Sequence, residues 1–125
     1  MFDQVDPRSP VPLYEQIAAR VRLAIAAAEL RPGESLPSVR QLAARLRINP
    51  ATVVQAYRAL EQEGFVEMRQ GAGTFVRDVA AERRAGERAG EAARLVRRMM
   101  EDAGHLGITP GELRAAFARE AGEAA

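Results

Sequence analysis

The sequence predicts a mainly α-helical chain with one small β-hairpin: three helices, the hairpin, then a two-helix extension. Three observations lead there. Apolar residues recur every three or four positions through most of the chain, which is the spacing of one helix face. Cap and first-turn residues stand together at Ser38 with Gln41, Asn49 with Pro50, and Thr109 with Pro110, marking helix starts. In residues 65–77, FVEMRQGAGTFVR, apolar and polar residues alternate on either side of a glycine-containing loop, as in two strands and a turn.

Residues 1–12, MFDQVDPRSPVP, hold three prolines and no period, so an extended lead-in is expected. Leu13, Ile17, Val21, Ile25 and Ala28 then share one helix face, giving a first helix over about 13–29 that Arg31-Pro32-Gly33 ends. Ser38 and Gln41 form a capping box for a second helix whose apolar side is Val39, Leu42, Ala43 and Leu46. Arg47-Ile48 make a tight turn, where a non-glycine residue at positive φ costs on the order of 1 kcal/mol. Asn49 caps the third helix and Pro50 opens it. Val53, Ala56, Tyr57 and Leu60 share its core side, with Ala51, Gln55, Arg58 and Gln62 opposite, and Gly64 suits its C-terminus.

Val66 and Met68 alternate with Glu67 and Arg69, Gln70-Gly71-Ala72-Gly73 form the loop, and Thr74-Phe75-Val76 return; no other strand pair is evident. After Arg77 the composition shifts to Ala, Glu and Arg. Residues 80–104 read as one helix, weakly apolar at Ala85, Ala89 and Ala92 and more so at Leu95, Val96, Met99, Met100 and Ala103, with Gly104 and Gly107 breaking it. Thr109, Pro110 and Glu112 cap a last helix with Leu113, Ala116 and Phe117 inward, and the tail GEAA is expected to fray. Helix-turn-helix followed by a hairpin is the order of a winged helix. Two domains follow: residues 1–77, the winged helix-turn-helix, and residues 78–125, a helical extension.

Composition narrows the function classes. Hydrophobic residues make up 47% of 125, enough for a core, while aromatics are 5%. Cys is absent, so disulfides and thiolate chemistry are excluded. With one histidine, His105, and no cysteine, no transition-metal site is expected, and the absence of Lys removes a phosphate-binding Gly-Lys loop. No catalytic constellation and no cofactor are expected. Leu23–Ala28 is too short to cross a bilayer and MFDQVD lacks a positive leader, so the expected location is the cytoplasm, without membrane partners.

Net charge is only +1, but its distribution is informative. Residues 35–58 hold four arginines (Arg40, Arg45, Arg47, Arg58) and no acid, although 17 of the 125 residues are acidic. An acid-free basic pair of helices points to a polyanion. In the major groove Arg pairs with guanine, Gln with adenine, and a small Ala can touch a thymine methyl. The N-terminal end of such a helix lies closest to the bases, which puts Asn49, Ala51 and Gln55 on base edges and Thr52 and Arg58 nearer phosphates. Arg40 opposes the dipole of the second helix, a conflict that a phosphate at the amides around Ser38 would relieve. Arg45 and Arg47 are further backbone contacts, and Gln70, Gly71 and Gly73 suit a wing that approaches the minor groove closely.

LPSVRQLAARL, NPATVVQAYRALEQEGFV and QGAGTFV, with PLYEQI and RPGESLPS before them, resemble the GntR family of bacterial winged-helix regulators over about residues 11–77. By position the resemblance implies operator contacts at Arg40, at Asn49, Pro50, Ala51 and Thr52, and at Gly71. Pro50 stands where many family members have Arg. Asn-Pro-x-Thr-Val followed by Ala-Tyr looks like the YtrA-like subfamily, in which a short C-terminal pair of helices dimerises. That similarity implies a homodimeric repressor on a pseudo-palindromic operator in double-stranded DNA, controlling a transporter operon. It places Leu95, Val96, Met99, Met100, Leu106, Leu113 and Phe117 in the dimer. Two rivals remain open: a small-molecule effector bound between the C-terminal helices, and a winged-helix protein-interaction module.

Overall fold

The computed structural model describes residues 1–122; of the GEAA tail, residues 123–125 lie outside the described residues. The element order is α1 (Leu13–Ala26), α2 (Val39–Leu46), α3 (Pro50–Gln62), β1 (Val66–Arg69), β2 (Gly73–Val76), α4 (Ala81–His105) and α5 (Pro110–Glu120). Two compact units divide the chain inside α4, Met1–Arg88 and Ala89–Ala125.

In the first unit α3 packs on both α1 and α2. Its expected core side is fully buried at Val53, Ala56, Tyr57 and Leu60, against Ile17, Val21, Leu42 and Phe65. Burying one such side chain contributes roughly 1.5–3 kcal/mol. Arg22 of α1 bridges Glu15 on its own helix and Glu63 after α3. Burial works against the Arg22 charge, but the hydrogen bond to Glu15 and the charges of Glu63, Glu15 and Glu87 outweigh it and raise its pKa.

Four readings are corrected here. The first helix ends at Ala26, not near residue 29: Ala28 is left-handed (φ 62°), and the Ala28 and Glu29 amides donate back to Ile25 and Ala24. That reversal turns Leu30 onto the core, a packing gain that overrides the helix preference of alanine. The lead-in is not extended but folds through turns against the first helix and the core. Phe2 is buried in the core, Arg20 donates to the Met1 carbonyl (2.9 Å), and the Gln16 side chain pairs with Asp6 and Val11.

The hairpin also has a third partner. β1 and β2 pair antiparallel from Val66 with Val76 to Arg69 with Gly73, so Gly73 belongs to the strand and not to the loop. Residues 33–36 run along the far edge of β2, with Gly33 donating to Val76, Val76 to Glu34 and Leu36 to Thr74, each at 2.8 Å. An edge strand presents unpaired backbone groups, and this loop satisfies them.

The beginning of α4 stays with the first unit: Val79 is buried, the Arg83 guanidinium stacks 4.2 Å from the Phe65 ring centre, and Arg88 donates to the Ala26 carbonyl. In the second unit α4 runs through Gly104 to His105, and the chain turns at Gly107 (φ 75°), after which the Ile108 amide returns to Ala103. The capping box of Thr109 and Glu112 opens α5 as expected. Phe117 corrects the fourth reading. It is 55% exposed rather than inward, because none of the described residues covers that side of α5, while Leu113 and Ala116 are half-buried.

Candidate nucleic-acid interface

Two short helices and a tight turn place the expected residues. Ser38 caps α2 in a reciprocal box: its Oγ accepts from the Gln41 amide and its own amide donates to the Gln41 side chain, both at 3.0 Å. The Ser38 amide is therefore already used, contrary to the expectation that it stays free for a phosphate. The amides of Val39 and Arg40 follow it in the first turn, where a helix has no internal acceptors. Arg40 is exposed beside them.

Arg47 takes the left-handed conformation at the end of α2 (φ 57°), as the turn requires, and Ile48 is half-buried against the core. The Asn49 Oδ1 accepts from the Ala51 amide at 2.9 Å. The cap holds the Asn49 side chain in place and leaves its NH2 free to donate to an acceptor on a base or phosphate.

The Tyr57 hydroxyl donates to the Pro37 carbonyl at 2.7 Å, tying α3 to the segment that leads into α2. This bond fixes Ser38 and Arg40 relative to α3. Burial pushes the Tyr57 phenol well above its ordinary pKa, while the charge of Arg45 acts in the other direction. The hydroxyl therefore stays protonated and keeps donating.

Arg40, Arg45, Arg47 and Arg58 are all exposed, and none has a carboxylate partner among the described residues. Pro50, Ala51 and Gln55 are exposed on α3, and Thr52 is half-buried. On the wing, Gln70 and Gly71 are exposed in the turn, where the Ala72 amide donates to Arg69, and Gly71 (φ 77°) and Gly73 (φ 123°) take left-handed torsions that favour glycine. Arg69 lies over the Phe75 ring and pairs with Glu67, so it is less free than the arginines of α2 and α3.

A surface depression runs along the outward side of α3, lined by Ala51, Val54, Gln55, Arg58, Ala59 and Gln62 with Tyr14 from α1. Sequence reasoning assigned no role to Val54, Ala59 or Tyr14. Val54 and Ala59 lie on the flanks of α3, between its core side and its polar side, and Tyr14 reaches the depression from α1.

Residues 13–76, more than half of the chain, match the family described as bacterial regulatory proteins, gntR family. The chain belongs to the GntR family. The HTH-type transcriptional repressor YtrA of Bacillus subtilis is 44% identical over 77 residues, covering 62% of this chain and 59% of that protein. The chain thus matches about three fifths of that relative's length. A GntR family transcriptional regulator from Listeria monocytogenes has a similar structure, with a TM-score of 0.68 at 27% identity, covering 91% of this chain and 97% of that one. The DNA-binding domain of AraR, solved in complex with operator ORX1, superposes with a TM-score of 0.52 at 26% identity over 57% of this chain and 88% of that one. The expected family, YtrA-like resemblance and winged-helix fold are borne out, and these relatives are regulators rather than enzymes. No helix among the described residues is long and apolar enough to cross a membrane.

Proposed function

We propose that this GntR-family chain is a cytoplasmic repressor that binds a pseudo-palindromic operator in double-stranded DNA as a homodimer, and that it acts, following the YtrA-like resemblance, on a transporter operon. Residues 1–77 are the DNA-binding module and residues 78–125 the dimerisation segment. The observation that carries the reading is the set of exposed guanidinium groups of Arg40, Arg45, Arg47 and Arg58, free of carboxylate partners among the described residues and grouped on α2, its turn and α3. Uncompensated charge of one sign on a helix-turn-helix suits a phosphate backbone.

The second support is apolar surface. Leu95, Val96, Met99, Met100, Leu106 and Phe117 are 37–75% exposed. A two-fold copy of the same segment is the partner that would cover them, with Leu113 at the margin. The likeness to the AraR DNA-binding domain, solved in complex with operator ORX1, supports operator DNA as the partner of the first unit.

In this arrangement Ala51 and Gln55 face base edges, with Asn49 and Pro50 at the entry of α3. Arg40, Arg45, Arg47, Thr52 and Arg58 hold phosphates near the Ser38 cap, and Gln70, Gly71 and Gly73 bring the wing to the minor groove. The test is operator binding measured against salt. Affinity falls with a log–log slope of about −0.9 per neutralised phosphate. Arg40→Ala weakens cognate and random DNA alike and makes the slope shallower by about 0.9 per lost contact. An unchanged slope removes Arg40 from the backbone contacts, and equal affinity for operator and random DNA overturns the reading.

A further inference from the structure

Val54 is a β-branched residue in the middle of α3, half-buried by its own helix and neighbours. It belongs neither to the buried core nor to the partly buried hydrophobics packed against it, unlike Val39, Leu46 and Ile48 nearby. Its methyl groups instead line the outward depression beside Ala51, Gln55 and Arg58. Valine is also a poorer helix former than alanine, by up to about 0.7 kcal/mol. At this position that helix cost has no offsetting core contact.

We propose that Val54 is a specificity-determining residue that, with Ala51, forms an apolar ledge receiving the 5-methyl group of a thymine in the major groove. The inference rests on the reading of α3 as the helix that enters that groove. The thymine methyl is the apolar group that base edges present there. Valine on a helix holds essentially one χ1 rotamer, so the ledge is ordered before DNA arrives and binding loses little side-chain freedom. Ala51 and Val54 are one turn apart on the helix, as are Ala51 and Gln55. The ledge therefore lies against the donors that read neighbouring bases, and Arg58 supplies the positive charge that draws a polyanion to it. An apolar strip flanked by Gln55 and Arg58 suits a nucleic-acid edge better than a protein core.

The test uses the full chain and its operator with deoxyuridine substituted for thymine, one symmetric pair of positions at a time. This change removes the methyl group and leaves the hydrogen-bonding edge intact. Wild-type protein is expected to bind about fourfold more weakly for each contacted methyl lost, and only at one symmetric pair. Val54→Ala, which keeps or improves helix propensity, is expected to cut the difference between the thymine and deoxyuridine operators at that pair to less than about twofold, the remainder belonging to Ala51. It should retain preferences at the other positions. A flat deoxyuridine series with operator still preferred over random DNA overturns the methyl contact and leaves α3 as the reader. A step that stays undiminished in Val54→Ala reassigns it away from Val54. Loss of all operator preference in the wild type overturns both readings. Sedimentation of Val54→Ala that differs from wild type would give the ledge to a second copy of the chain and overturn the inference.

Discussion

In Met1–Arg88, Leu42, Val53, Leu60 and Phe65 are completely buried, whereas in Ala89–Ala125, Leu95, Leu106 and Phe117 leave half or more of their surface in water. Both regions have apolar residues at helical spacing, so periodicity alone does not separate them. Closure does. In the first region α1, α2, α3 and the hairpin surround one another, and even Phe2 and Val79 from the flanking segments complete the core. In the second, α4 and α5 are held by local devices: the Glu91–Arg94 pair, the left-handed Gly107 and the Thr109–Glu112 box. Such devices are worth tenths of a kcal/mol to about 1 each, and short helices without tertiary packing are marginal in water. One region is complete by itself and the other calls for a partner surface.

The largest break in this contrast comes from Leu60. Leu60→Ala should destabilise the first region by about 2–5 kcal/mol in denaturant unfolding, because it empties a fully enclosed site. The same truncation at Leu106, which is 75% exposed, should change unfolding of the isolated chain by less than about 0.5 kcal/mol. Equal losses at the two positions would erase the distinction.

A smaller effect concerns association. Met99→Glu sets a charge into the apolar side of α4 and should weaken dimerisation at least tenfold, about 1.4 kcal/mol, in sedimentation equilibrium. The circular dichroism melt of the first region should remain. An undisturbed dimer would place the interface elsewhere.

The smallest effect is a titration in α5. Glu112 accepts the Thr109 amide, and that bond, with the Thr109 hydroxyl, lowers its pKa below the ordinary carboxylate range. A depressed carboxylate stabilises the folded form fully above its unfolded pKa and less as pH falls through the folded one. The Thr109 amide resonance should therefore shift with acid in the wild type and lose that step in Glu112→Gln. A Thr109 amide that ignores pH would dissolve the box.

Much of the first region was legible because its signals are local. Val53, Ala56, Tyr57 and Leu60 follow the three-and-four spacing that one helix face imposes, and Ser38 and Asn49 announce their caps by chemistry, as Thr109 does in the second region. What stayed hidden depends on distant chain. Phe2 stands in an aperiodic stretch, and only the folded core supplies its site. Residues 33–36 pair with β2 through backbone atoms, which a Pro- and Gly-rich sequence does not advertise. Ala28 is left-handed although alanine is the best helix former, because Leu30 must turn inward. At the site, the exposed arginines were legible from the missing acids. Val54 was not, since a valine among core valines carries no mark of which way it faces.

Arg47 sets stability and affinity against each other. Its left-handed torsion is one that glycine adopts without penalty, while its exposed guanidinium adds to the charge around the turn. Glycine there would relax about 1 kcal/mol of backbone strain and remove one exposed positive group from the surface proposed to meet DNA. Selection for heat resistance alone would drift toward glycine, and selection for operator occupancy would hold arginine.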